Sequence, residues 1–444
     1  MEDKRILIIG AGPTGIGAAF GLHERKYENW CIYESNSYWG GLSASFIDEK
    51  GFTWDVGGHI LFSHYPYVDK LYDISIGDKK NTRVRESWIW VKNRFVPYPF
   101  QNNIRYLDVR DVQACIKDLQ DANSKKLVSR NFEEWAKVTF GKRIAELFML
   151  PYNFKVWAYP LKMMSKDWIG ERVSVVDAKR IIENVKEGKD DVSWGPNSIF
   201  SFPLKGGTKA VYDGLISFFR DKLQLDKEIV KIDVEAKKVF FADGSSDHYD
   251  FLINTMPLDK FIRIAGLDKF YGDIGKLKHN SVFVVGVGVR GKCPSNKNWM
   301  YFPENNNPFY RVTYFSNYSQ FNVPDGDYYS FLCETSYSEF KRENKSAIIK
   351  KTIQGLKNVK LLSDKEEIVD TYLIDVDYAY PIPTLERDEA LRKIQPHLIE
   401  KGIFSRGRFG AWKYEIANMD HSVMMGAEAV DKILDNKDEA VWNL

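Results

Sequence analysis

The chain has 444 residues, too many for one ordinary hydrophobic core, so two or three lobes are expected. Its 63 basic and 61 acidic residues leave a net charge of +2, which argues against a nucleic-acid surface or an acidic tail. No apolar run approaches the roughly 18 residues of a membrane span, Met1–Arg5 lacks a signal-peptide core, and Cys31, Cys115, Cys293 and Cys333 form no C-x-x-C pair, so a cytoplasmic protein with free thiols and no membrane partner is expected.

Arg5–Ile9 reads as a buried parallel strand, Thr14–Lys26 as a helix and Trp30–Tyr33 as a second strand ending at Glu34. Between the first strand and the helix lies G-x-G-x-x-G, formed by Gly10, Gly12 and Gly15. In this βαβ context the motif is a dinucleotide fingerprint. Gly10 allows the tight turn, Gly12 lets backbone approach a pyrophosphate, Gly15 allows helix and sheet to touch, and Glu34 stands where a ribose hydroxyl is held. A second glycine pair, Gly40-Gly41, and a third, Gly57-Gly58, followed by His59, point to FAD rather than NAD.

Residues 102–195 carry helical spacing, as in Arg143–Phe148, and read as a helical lobe. The stretch Ile229–Ile253, turning at Asp243-Gly244, reads as a hairpin feeding a strand back into the cofactor domain. Ser281–Val289, Trp299–Phe302, Phe309–Phe315 and Asp327–Glu334 alternate with period two and predict an antiparallel sheet. Gly286…Gly291-Lys292 has P-loop spacing, but Cys293 replaces Ser/Thr and Pro294 follows, so ATP binding is rejected. Arg406–Gly410 precedes Asp420-His421, read as a helix N-cap, and Ala427–Leu434 is helical. The seven histidines show no metal spacing. The fold class predicted is α/β: a Rossmann-like FAD-binding domain from residues 1–82, 200–260 and 400–444, an inserted helical lobe over 102–195, and an antiparallel β-sheet lobe from 83–101 and 261–399.

Several segments resemble UDP-galactopyranose mutases of the fungal and protozoal type: Val56–His59, Val96–Asn103, Pro151–Ala158, Gly170–Val173, Trp194–Asn197, Phe309–Arg311, Ser316–Tyr318, Tyr380–Arg387 and Gly407–Asn418. They keep family order from about residue 5 to 430. The resemblance implies that Tyr98, Phe100, Gln101, Asn153 and Trp157 hold a uridine, and that Arg172 and Arg311 bracket a diphosphate. It implies that Tyr301, Tyr318, Tyr380 and Tyr414 line the substrate site, that His59, Phe62 and Asn197 face sugar and flavin, and that Arg408, Asn418 and Met419 adjoin the cofactor. The residue types suit these tasks: arginines give fixed charge to a pyrophosphate, and tyrosines donate hydrogen bonds without net charge. Met419 stands where the family generally has Gln, and Lys205 where Arg is usual. The chain is shorter than typical fungal members, so their oligomer contacts do not carry over.

The implied activity is isomerisation of UDP-galactopyranose to UDP-galactofuranose through a covalent adduct of the sugar with N5 of reduced FAD, with NADPH as reductant. With no second dinucleotide fingerprint, NADPH would share the substrate cleft. Two other readings stay open: a mutase of another nucleotide sugar, and a flavin oxidoreductase of the amine-oxidase type.

Overall fold

In the computed structural model, which describes residues 3–124, 128–174 and 177–442, the apolar run Ile6–Ile9 is the middle strand of a five-stranded parallel sheet. The strand order is Ile403–Ser405, Phe251–Asn254, Ile6–Ile9, Trp30–Tyr33, Leu223–Gln224. All four residues of Ile6–Ile9 are buried, because a parallel strand covered on both faces needs apolar side chains at every position. On one face Ile6 and Ile8 join a core with the helices Pro13–Glu24 and Met419–Asp435. On the other face Leu7 and Ile9 meet the antiparallel strands Ile229–Asp233 and Lys238–Phe241 and two helices, Leu258–Ile264 and Arg387–Glu400. Residues 387–399, expected with the antiparallel sheet, therefore pack against the parallel one.

The second sheet has seven strands, ordered Ile368–Ile382, Lys278–Arg290, Tyr328–Tyr337, Arg311–Tyr314, Trp299–Tyr301, Ser87–Val91, Arg94–Pro97. Its pairs are antiparallel except Trp299–Tyr301 with Ser87–Val91, which is parallel. Gly286 of the rejected P-loop, and Gly288 beside it, have a packing reason here. A Cβ at Gly286 would lie 2.5 Å from the Trp54 ring and one at Gly288 2.7 Å from the Phe52 ring, so the strand stays bare where these two stacked aromatics cross it.

The stretch expected to be helical contains Val109–Ser124, Phe132–Ile144, Leu150–Trp157 and Ala178–Glu187. A π-helical turn, Ala145–Met149, joins the second to the third. Such widened turns are frequent at functional sites; this one leads into the segment that carries Asn153 and Trp157.

The main differences from expectation are at the ends of elements. The long strand Ile368–Ile382 is the largest omission; much of it is only half-buried, so its hydrophobic signal is diluted. The C-terminal helix starts at Met419, eight residues before the expected Ala427, and its N-cap is Asn418 rather than Asp420. Early polar residues of that helix (Asp420, His421 and Ser422) are buried, which breaks the amphipathic pattern that a sequence reading relies on.

Candidate functional site

The glycine-rich turn has the shape its sequence implies. Gly10 has φ +95°, in the left-handed region open to glycine, and a Cβ there would strike Thr255 Oγ1 at 2.3 Å. Pro13 opens the following helix at a position where its missing N–H costs nothing. Glu34 is buried at the end of the second strand. Its Oε2 accepts from Ala11 N at 2.8 Å and its Oε1 from Asn36 N at 2.9 Å, so this carboxylate braces the turn. Gly40 N donates to Ala11 O at 2.8 Å, which brings the second glycine pair onto the first. A Cβ on Gly41 would come within 3.1 Å of Gly12 Cα: two bare backbones face each other, at a helix N-terminus whose N–H groups suit phosphate. Gly15 serves packing, since a Cβ there would lie 1.9 Å from Gly10 O.

At the junction of the two sheets and the helical lobe lies a cleft of about 330 Å³. Of the residues expected at a substrate or flavin edge, it brings together Gly58, His59, Phe62, Tyr98, Gln101, Asn153, Trp157, Arg172, Asn197, Tyr301, Arg311, Tyr318, Tyr380, Arg408, Tyr414, Asn418 and Met419. Gly57 lies just behind, beside Glu334. Phe100 is the exception. It is fully buried in the helical lobe against Phe148, at 5.1 Å between ring centres, and does not reach the cleft. Gln101 reaches the cleft but spends its amide on Ser174 O, at 2.8 Å, holding the segment that follows Arg172.

The cleft has an aromatic wall. The Trp157 ring packs edge-on against Tyr414, Trp168 and Tyr380, with centroid distances of 4.7, 5.1 and 6.2 Å. Tyr98 lies 5.5 Å from Tyr301 and 6.1 Å from Trp194. The indole N–H groups of Trp157 and Trp168 are buried without a hydrogen-bond partner, an arrangement that costs free energy unless something accepts from them. Burial pushes the hydroxyls of Tyr98, Tyr301, Tyr318 and Tyr380 upward in pKa, so all four are neutral donors at working pH.

The three arginines differ in charge balance. Arg311 forms a bidentate pair with Glu334, Nε to Oε1 at 2.6 Å and Nη2 to Oε2 at 2.8 Å. Glu334 is 2% exposed and also accepts from Tyr310 Oη at 2.6 Å and Gly58 N at 3.1 Å. Burial alone would raise this carboxyl, but the charge and hydrogen bonds of Arg311 outweigh it and hold its pKa below the ordinary range. Arg172 and Arg408, in contrast, make no salt bridge among the described residues. Arg172 donates to Asn418 Oδ1 at 2.6 Å and Glu415 O at 2.7 Å, with its guanidinium 5.2 Å from the Tyr414 ring centre. Arg408 donates to Ala379 O at 3.2 Å and Ala417 O at 3.1 Å, and burial lowers its pKa. Two cations thus face the cleft with only neutral partners. Burial, then the charges of Arg408 and Arg311, drive the His59 pKa down to about 3, so its imidazole is neutral, and its Nδ1 is closed off without a partner.

Asn418 makes no side-chain cap for the helix Met419–Asp435, because its oxygen is taken by Arg172. The helix N-terminus therefore opens on the cleft, where its dipole favours negative charge. Sequence reasoning missed Glu334, 276 positions from the glycine it binds, and also Tyr152, Trp168, Trp194 and Tyr310 in the cleft wall. It also missed a cluster of His64, Asp420 and His421, in which the two Nδ1 atoms lie 2.7 and 3.1 Å from the two oxygens of the Asp420 carboxylate.

A family model for flavin containing amine oxidoreductase matches residues 13–431. The chain belongs to that family. Among solved structures it is similar to a reduced UDP-galactopyranose mutase, with 43% identity and a TM-score of 0.96 over 99% of this chain and 95% of the other. A putative protoporphyrinogen oxidase from Exiguobacterium shares the fold, with a TM-score of 0.75 at 15% identity over 98% of this chain and 100% of the other. Protoporphyrinogen oxidase 2 of Arabidopsis thaliana is 23% identical over 301 residues, and the chain spans 58% of the length of that curated relative. Among the described residues no helix is long and apolar enough to cross a membrane.

Proposed function

We propose that the chain is a flavin-dependent UDP-galactopyranose mutase of the eukaryotic type, interconverting UDP-galactopyranose and UDP-galactofuranose. The observation that carries this reading is the cleft: an aromatic wall and two uncompensated arginines adjoin the glycine turn at Gly57-Gly58, in a chain 43% identical, over 99% of its length, to a reduced UDP-galactopyranose mutase. The residues fit FAD. The bare approach of Gly12 to Gly41 suits its pyrophosphate, and the Gly57–His59 turn and the open helix end at Asn418 and Met419 suit its ring. When bound and reduced, FAD supplies a nucleophile for the anomeric carbon of the sugar.

The protein's own part is to bind, orient and neutralise. Trp157, Tyr98 and Asn153 form the wall for uridine. Arg172 and Arg408 face the diphosphate and stabilise the charge that develops as UDP departs. Arg311 also lines the cleft, but its charge is already balanced by Glu334, so it orients rather than adds net attraction. The neutral tyrosines donate to the phosphates without binding them so tightly that UDP cannot leave. NADPH is the proposed reductant, sharing this cleft. In the test, the protein reduced anaerobically with dithionite is incubated with UDP-galactofuranose and the nucleotides are separated by chromatography. Conversion only in the reduced sample supports the mutase; FAD-loaded protein with no conversion sinks it and turns the search to other nucleotide sugars. The family match also favours a second reading, an amine-oxidase-type oxidoreductase, which oxygen consumption with amine substrates would reveal.

A further inference from the structure

The segment 192–197 carries two cleft residues, Trp194 and Asn197, yet it is poorly buried: Val192 and Ser193 are exposed, and Trp194 and Asn197 are half-exposed. Its base is fixed next door. Asp191 N donates to Asn103 Oδ1 at 2.9 Å, Asn103 Nδ2 donates to Asp191 O at 2.8 Å, and Asn102 Nδ2 to Asp191 Oδ2 at 3.1 Å. Beyond that base, one side chain among the described residues hydrogen-bonds the segment. Arg85 donates from Nη1 to Asn197 Oδ1 at 2.6 Å, and from Nη2 to Val192 O at 3.0 Å and to Trp194 O. Its backbone N donates to Ser198 O at 2.9 Å.

Arg85 is 9% exposed and makes no salt bridge among the described residues. Its guanidinium lies 5.0 Å from the centre of the Tyr98 ring, a cation–π contact that partly replaces the missing counter-charge. The same ring meets Trp194. One planar fork therefore ties the aromatic wall to three acceptors on an otherwise loose strap, a geometry that the single ammonium of lysine cannot reproduce.

We infer that Arg85 is a positioning residue: it sets the place of Asn197 and Trp194 at the cleft and so determines how tightly the nucleotide sugar is held. The inference rests on the proposed function for the identity of the ligand. Arg85→Ala and Arg85→Lys are compared with the wild type in two assays. The first is the rate of chymotryptic cleavage after Trp194 in the flavin-loaded protein, which needs no substrate. Loss of hydrogen bonds from a charged group should raise this rate about tenfold or more. The second is the kinetics with UDP-galactofuranose, where KM should rise about tenfold with a much smaller fall in kcat. The rise should shrink in an Asn197→Ala background, because the residue being positioned is gone.

Lysine should fail to restore either property; restoration by lysine would mean that charge alone matters and would overturn the inference. So would cleavage of Arg85→Ala at the wild-type rate. If the wild type neither binds UDP nor turns over, the functional reading falls while the proteolysis result still decides the role of Arg85.

Discussion

Replacing Glu334 tests how the cleft is held together. Its side chain is 2% exposed and Arg311 is 23% exposed, so Glu334→Ala leaves a largely buried guanidinium without a counter-charge, along with unpaired donors on Tyr310 and Gly58. Breaking one partner of a buried pair costs about 3–5 kcal/mol. An unfolding entropy of about 2.1 cal/mol/K per residue gives roughly 0.9 kcal/mol/K for a chain of this size, so the expected loss is about 3–5 °C in Tm. The double variant Glu334→Ala/Arg311→Met removes the orphaned charge and should recover most of that loss. There is also a pH signature. Because the folded pKa of Glu334 is depressed, its contribution is fully present above the unfolded value of about 4.3 and is lost as pH falls through the folded value. The wild type should therefore lose stability on acidification more steeply than Glu334→Ala. Scanning calorimetry of both variants and the wild type, across pH 3 to 8 in steps of about 1, reads all of this. An alanine variant with wild-type Tm, or a double variant no better than the single, would refute the view that this pair braces the site.

Gly12→Val should abolish FAD retention, because the side chain would enter the gap facing Gly41; a fully yellow purified variant would contradict the cradle. Arg172→Ala and Arg408→Ala should each cut turnover by about 10²-fold or more while the flavin spectrum persists, and near-normal rates in both would remove the diphosphate assignment. With its pKa near 3, His59 is neutral throughout the usual assay range, so the pH profile of His59→Gln between about pH 5 and 8 should parallel that of the wild type; an inflection near pH 6 present only in the wild type would show that the imidazole titrates.

The first two strands of the parallel sheet and the glycine turn between them were legible because they are local. Strand, turn, helix and second strand lie within 30 positions, and each glycine has a steric reason that its neighbours reveal. The cleft wall was legible through resemblance, motif by motif, and Phe100 shows the limit of that route: a residue adjacent to cleft residues in sequence can point into the lobe instead. The roles of Glu334, Arg85 and the Asp420 cluster were not legible. Each has a partner 100 or more positions away, Gly58, Asn197 and His64 respectively, and even for a nearer pair such as Glu334 and Arg311, an acidic or basic residue in a strand or loop looks the same whether it faces solvent or a buried guanidinium.

The distribution of charge in the cleft bears on reversibility. Under the proposed function, in which the site releases UDP from the sugar and later returns it, the site gains from attraction that is strong when the diphosphate carries its full leaving-group charge and modest otherwise. Three uncompensated arginines would hold the free nucleotide too well. Here one of the three is balanced by Glu334 in a buried pair, the other two are held by backbone carbonyls and an asparagine, and the remaining donors are neutral tyrosine hydroxyls. Asn418 joins the two halves of the arrangement. By accepting from Arg172 it leaves the helix end at Met419 uncapped, so the same hydrogen bond bears on the cation proposed to meet the diphosphate and on the positive end of the dipole proposed to meet the cofactor. Asn418→Ala should for that reason disturb nucleotide affinity and flavin reduction together, whereas a substitution acting on the nucleotide alone would leave the flavin potential where it was.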